Sequence, residues 1–139
     1  MRRILLPACF AIVVAASTAL AQECDRNDDS QSGMNTCAAE DYATADAKLS
    51  STYQAIIGGA DDATKQLLQT AQQGWIVFRN AECNYAASGS QGGSIHPMVV
   101  SECLTRLTND RTKQLKADTT CPQGESCASS GDNQDDEVQ

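Results

Sequence analysis

The chain has 139 residues, 41% of them hydrophobic, and a formal net charge of −8. That length suits one domain, and the negative charge disfavours nucleic acid or anionic lipid as partners, since both are bound through basic surfaces. Beyond residue 21, Leu, Ile, Val and Phe make up about 13% of the chain, which excludes a large enzyme core and would suit a disordered chain were there not six cysteines in the same stretch.

Residues 1–21 read as a secretory signal peptide. Arg2 and Arg3 form a basic start, the segment 4–20 is apolar apart from Ser17 and Thr18, and Ala19-Leu20-Ala21 fits the small-x-small cleavage rule. Pro7 and the short apolar run speak against a membrane span. The expected product begins at Gln22, spans no membrane and resides in the periplasm or outside the cell. Loss of the two arginines takes its charge to −10, of which −5 falls on residues 22–121.

Residues 22–35 form a polar, Asp-rich lead-in. A first helix is expected over 36–57, with Asn35 as N-cap and Met34 packing back against it. Ala38, Tyr42, Ala45, Leu49, Tyr53 and Ile56 recur at steps of three and four, the spacing of one helical face. Gly58-Gly59 is expected to end this helix in a left-handed cap. A second helix is expected over 62–86, capped by Asp61 or Asp62, with Leu68, Ala71, Trp75, Phe78 and Tyr85 as its stripe. Gly74 in its interior points to close approach of a neighbouring helix. The short connection makes these two helices an antiparallel hairpin.

Residues 88–94 hold three serines and three glycines and fit no regular element. A third helix is expected from Pro97, a good first helical residue, to Lys116, with Val100, Cys103, Leu104, Leu107, Arg111 and Leu115 on one face. Residues 122–139 hold five acids and no Lys or Arg and read as a disordered acidic tail. The expected fold is all-α: a disulfide-stapled helical hairpin plus a third helix, together a three-helix antiparallel bundle over residues 22–121. Its core is assigned to Tyr42, Leu49, Tyr53, Trp75, Phe78 and Leu107.

So thin a core needs cross-links. Cys24, Cys37, Cys83, Cys103, Cys121 and Cys127 suggest three disulfides. One arrangement joins Cys24 to Cys37, Cys83 to Cys103, and Cys121 to Cys127. The other joins Cys37 to Cys83 across the hairpin and Cys24 to Cys103. No Cys-x-x-Cys occurs and His96 is the single histidine, so no metal or other cofactor is expected, and paired cysteines leave no thiolate nucleophile. Asp46 and Glu82 could be taken as a carboxylate pair for glycoside hydrolysis. Charges beside apolar stripes more often make structural ion pairs, and Asp46, Arg79 and Arg111 are expected to form such a set. No phosphate-binding glycine loop or serine elbow is present, and no enzyme activity is expected.

The ordered series Met34-Asn35-Thr36-Cys37-Ala38, Ala45-Asp46 with Leu49 and Tyr53, Ala71-Gln72 with Trp75, Phe78-Arg79, Ala81-Glu82-Cys83, Gly92-Gly93-Ser94-Ile95, Cys103, Leu107-Thr108 and Arg111 with Leu115 resembles the LprI-type lysozyme inhibitor family, once a domain of unknown function. The likeness covers about residues 24–118. It departs at Asn80 and Gln73, where the family usually carries an acidic residue and an arginine, and Cys121 and Cys127 look like additions to the family's four cysteines. The resemblance implies an exported, disulfide-bonded helical domain that blocks lysozyme and has no catalytic residues of its own. An acidic domain would be steered to a basic enzyme. Ser88, Ser90, Gln91 and Ser94 are then the expected partner-binding residues, on a loop able to enter the active-site cleft. The alternatives are an immunity or regulatory protein for another cell-wall hydrolase, or a structural envelope protein without an enzyme target.

Overall fold

The computed structural model describes residues 23–120. Three α-helices make up nearly all of it: α1 (Gln31–Gly59), α2 (Asp62–Ala86) and α3 (His96–Thr120). The expected signal peptide, the Cys121–Cys127 pair and the acidic tail lie outside the described residues.

α1 starts five residues before its expected position. Ser30 is the N-cap, and its hydroxyl accepts from the Gly33 amide at 3.1 Å. The lead-in makes this start available through a chain of side-chain turns. Asp25 accepts from the Asn27 amide at 2.9 Å, and Asp28 accepts from the Ser30 amide at 2.9 Å. Asp28 lies so close to Gly33 that its carbonyl oxygen would stand 2.6 Å from a Cβ there. Apolar periodicity begins only at Met34, which is why the sequence placed the cap at Asn35. Met34 is not a staple; it remains 38% exposed.

The far end of α1 also differs from expectation. Gly58 and Gly59 do not take the left-handed conformation, which among the described residues occurs only at Gly92. Ala60 and Asp61 are both extended, and this two-residue link turns the chain into α2. Asp61 then caps α2, accepting from the Thr64 amide at 2.9 Å and the Thr64 hydroxyl at 2.8 Å. A single 3-10 turn at Ser88–Ser90 interrupts what was expected to be irregular throughout. α3 opens at His96, with Pro97 in its first turn, where a missing N–H costs nothing.

Pairs across the interfaces fix the directions. Asn35 of α1 reaches Ser94 before α3, and Asp46 and Thr108 meet on Arg79 of α2. Cys83 joins Cys103, and Gln72 meets Arg111. α1 and α3 are therefore parallel, and α2 runs antiparallel to both. α1 lies closest to α3, while α2 rests on α3 and stands farther from α1. The α1–α2 hairpin is thus antiparallel in direction, but the principal helix pair is α1–α3. Small buried residues fit that closeness: Ala38 and Ala45 on α1, with Thr108 and Thr112 on α3. Leu49 and Leu115 are the large aliphatic residues of the core.

Polar groups complete the interior. Arg79, Thr108, Arg111 and Thr112 are all buried, and among the described residues no buried side-chain N or O lacks a hydrogen-bond partner. That satisfaction is what makes a polar core tolerable. The Cys24–Cys37 bond ties the lead-in to α1, with Cα atoms 4.6 Å apart, and Cys83–Cys103 ties α2 to α3 at 5.5 Å. These are the bonds of the first arrangement considered above. No described helix is long and apolar enough to cross a membrane.

Candidate partner-binding end of the bundle

Two features stand out beyond the packing: a charged knot at mid-height and a braced loop at one end. In the knot, the Arg79 guanidinium donates to Asp46 Oδ1 at 3.0 Å and to Thr108 Oγ1 at 3.1 Å. It also lies 5.3 Å from the Tyr42 ring and 5.0 Å from the Trp75 ring. Burial pushes the Tyr42 hydroxyl above its ordinary pKa. Asp46 and Arg79 form an ion pair, but Arg111 does not join it. Arg111 donates to Gln72 Oε1 at 3.1 Å and Gln114 Oε1 at 2.7 Å, and sits 6.0 Å from the Trp75 ring. Its expected membership of an ion-pair set is corrected on that ground: α2 offers it an amide at that height, not a carboxylate. Burial pushes the Arg111 pKa down, with Asp118 opposing. Asp46, which with Glu82 would make a carboxylate pair, is committed to Arg79.

The assigned core residues divide. Leu49 is buried, Tyr42 and Trp75 are half-buried against Arg79, and Tyr53 and Leu107 are half-buried. Phe78 is 53% exposed and is not a core residue. Tyr85, placed on the same stripe, is 76% exposed. The stripe assigned to α2 merged two faces. The face turned inward runs through Leu68, Gln72, Trp75, Arg79 and Cys83, and three of these are polar or sulfur-bearing, so apolar periodicity alone missed it. Gly74 likewise has open space where a Cβ would be, rather than a neighbouring helix.

The loop after α2 is fastened from both sides. Ala87, fully buried, accepts from the Ser90 amide at 3.0 Å and the Ser90 hydroxyl at 2.8 Å. His96 Nδ1 lies 3.0 Å from Ser90 Oγ and 3.2 Å from the Ala87 carbonyl, which requires the Nδ1–H tautomer if it donates to that oxygen. His96 therefore braces the loop. The Gly93 amide donates to Ser90 O at 2.9 Å, and Gly92 takes φ +79°, a region open to glycine. From α1, Asn35 donates to Ser94 O at 2.9 Å and accepts from Gln31 at 3.0 Å. Ser88, Gln91 and Ser94 are exposed; Ser90 is half-buried, and its hydroxyl is spent within the loop.

An acidic cleft of about 460 Å³ accompanies this loop at the same end. Asp25, Asp28, Asp29, Asp41 and Glu102 line it over a floor that includes Met34 and Met98, and Arg26 and Arg106 leave the lining net negative. Arg26 grips Asp41 with its two terminal guanidinium nitrogens and holds its carboxyl below the usual carboxylate range. Composition alone marks residues 22–35 as a polar lead-in. Its dense run of Asp was the available signal, and the Cys24–Cys37 bond, the Arg26–Asp41 pair and the Cys24 amide donating to Glu40 at 2.9 Å hold that run against α1.

The model of the family described as lysozyme inhibitor LprI matches residues 22–115. An uncharacterised protein of Rhizobium meliloti (strain 1021) is 35% identical over 126 residues, covering 79% of this chain and 91% of the relative. No solved structure matches the chain. The matched span takes in the lead-in, both described disulfides, the charged knot and the braced loop. With a family model over more than half its length, this chain belongs to the LprI lysozyme inhibitor family.

Proposed function

We propose that the protein, exported to the periplasm or beyond, inhibits lysozyme by docking the end of the bundle that carries residues 88–94, with that loop entering the active-site cleft. The observation that carries this reading is the bracing of the loop. An exposed Ser- and Gly-rich segment held by Ala87, His96 and Asn35 loses little conformational freedom on binding, which is where preformed loops gain affinity. Ser88, Gln91 and Ser94 present hydroxyl and amide groups, which can hydrogen-bond the two catalytic carboxyl groups of a lysozyme without like-charge repulsion. Ser90 serves by shaping the loop. The acidic cleft beside it gives a basic enzyme a complementary surface, so the encounter is electrostatically steered.

The test is a lysozyme turbidity assay with the mature chain and with a variant in which residues 88–94 are replaced by a shorter turn. Inhibition by the mature chain and its loss in the variant, with helicity unchanged by circular dichroism, is the expected result. Unchanged inhibition removes the loop from the mechanism, and absence of inhibition by the mature chain at micromolar excess removes lysozyme as target. Association should also slow as salt rises, because screening shortens the reach of the acidic cleft to about 8 Å at physiological ionic strength. A salt-independent association rate counts against steering.

A further inference from the structure

The aromatic and aliphatic residues that α2 keeps out of the core form a pattern of their own. Leu67, Ala71, Gly74, Phe78, Ala81 and Tyr85 recur at alternating steps of four and three, and all six are exposed. At a helical repeat of 100° per residue they fall within about 40° on either side of one line along the helix. Leu67 is 73%, Phe78 53% and Tyr85 76% exposed, and Val77 beside them is 71% exposed. In a domain whose interior holds so few large apolar groups, leaving these in water identifies a contact face.

Charge and shape indicate what covers it. The described residues 23–120 carry a net charge of −5, yet between Lys65 and Glu82 the only charged residue of α2 is Arg79, which is buried. The face is therefore neutral on an acidic protein. It offers nothing complementary to a basic enzyme, and it is the place where two like-charged copies meet with least repulsion. Its shape is self-complementary. Gly74 is the midpoint of the 25-residue helix, with open space above it. A second α2 laid antiparallel with its own Gly74 at the crossing brings Leu67 opposite Ala81, Phe78 opposite Thr70 and Ala71, and Tyr85 opposite Ala63. Each large residue meets a small one, in both directions, over about 37 Å of helix. This is the isologous arrangement that a two-fold axis requires.

We infer that the protein forms a two-fold symmetric homodimer through the outer face of α2, with antiparallel helices crossing at Gly74. The contact does not involve the 88–94 loop in its register, so dimerisation stands apart from the inhibition proposed above. The experiment is sedimentation of the mature chain over a range of concentrations, together with the Phe78→Glu and Ala71→Lys variants. Both sites are exposed, so the variants should keep wild-type helicity. Wild type is expected to dimerise, and each variant to weaken the dimer by more than ~100-fold, because every substitution enters the interface twice. Mixing the two variants should restore a mixed dimer, since the carboxylate introduced at position 78 of one copy then faces the ammonium introduced at position 71 of the other. A wild type that stays monomeric overturns the inference. So does a dimer insensitive to both variants, a failure of the mixture to pair, or a monomeric wild type whose capture of lysozyme is lost in Phe78→Glu, which would assign the face to the enzyme.

Discussion

Arg79 shows how a side chain with no place in an apolar stripe can organise a core. Its guanidinium is 8% exposed while the partner Asp46 is 46% exposed, so the two ends of this ion pair are unequal. Replacing Arg79 by Ala removes the ion pair, the Thr108 bond and two ring contacts at once, and should cost about 3–5 kcal/mol by chemical denaturation. Asp46→Asn keeps an acceptor for the guanidinium and should cost less than half as much. Arg111→Met is expected to be milder still, about 1 kcal/mol, because its lost partners are two amides rather than a carboxylate. Equal losses for the two arginines would contradict the unequal roles given to them. Gly33 marks the opposite case, a residue needed for what it lacks. Gly33→Ala must displace Asp28, and should lower the melting temperature although alanine favours helix; a rise would show that the lead-in does not pack there.

At the scale of the helix, the termini decide more than the stripes. Gly58 is helical and has open space around its Cβ position. Gly58→Ala should therefore stabilise the protein by about 0.5–1 kcal/mol in thermal unfolding. A left-handed glycine cap would give the opposite sign. The caps also carry a pH dependence. The Thr64 amide holds the Asp61 carboxyl below its ordinary pKa, and the Ser30 hydroxyl and amide do the same for Asp28. A carboxyl whose pKa is lower in the folded chain binds the folded state better when ionised. Its contribution is present above the unfolded value of about 3.9 and is lost as pH falls through the folded value. Melting temperature should therefore drop as acid is added below about pH 4, and Asp61→Ala should lower it at neutral pH while making the acid-side fall shallower. Parallel curves for variant and wild type would refute the cap's part in acid sensitivity.

The whole molecule depends on its cross-links because its interior is small and partly polar. Cys83 is fully buried where α2 crosses α3, and α2 has little backbone contact with α1 to hold it otherwise. Replacing Cys83 and Cys103 together by Ala should cost about 3–5 kcal/mol and loosen α2 in hydrogen exchange before α1 and α3. Loss of Cys24–Cys37 should chiefly free the lead-in and the acidic cleft, lowering the rate of association with a basic partner more than the melting temperature. Disulfides and family membership both point to a location outside the cytoplasm.

Helix number, the bounds of α2 to the residue and the family were legible in the sequence, because capping aspartates, glycine breaks and an ordered series of spaced residues are local signals. Pairing of the cysteines, the closeness of α1 to α3 and the inward face of α2 were not. Spacing reports which residues share a face but not which of two faces is buried, and α2 has both an apolar outer stripe and an inner one built around Arg79. Only the packed helices decide between them. Cys83, Trp75 and Arg79 find partners on α1 and α3, whereas Phe78 and Tyr85 meet no helix of the same bundle closely enough to leave the solvent.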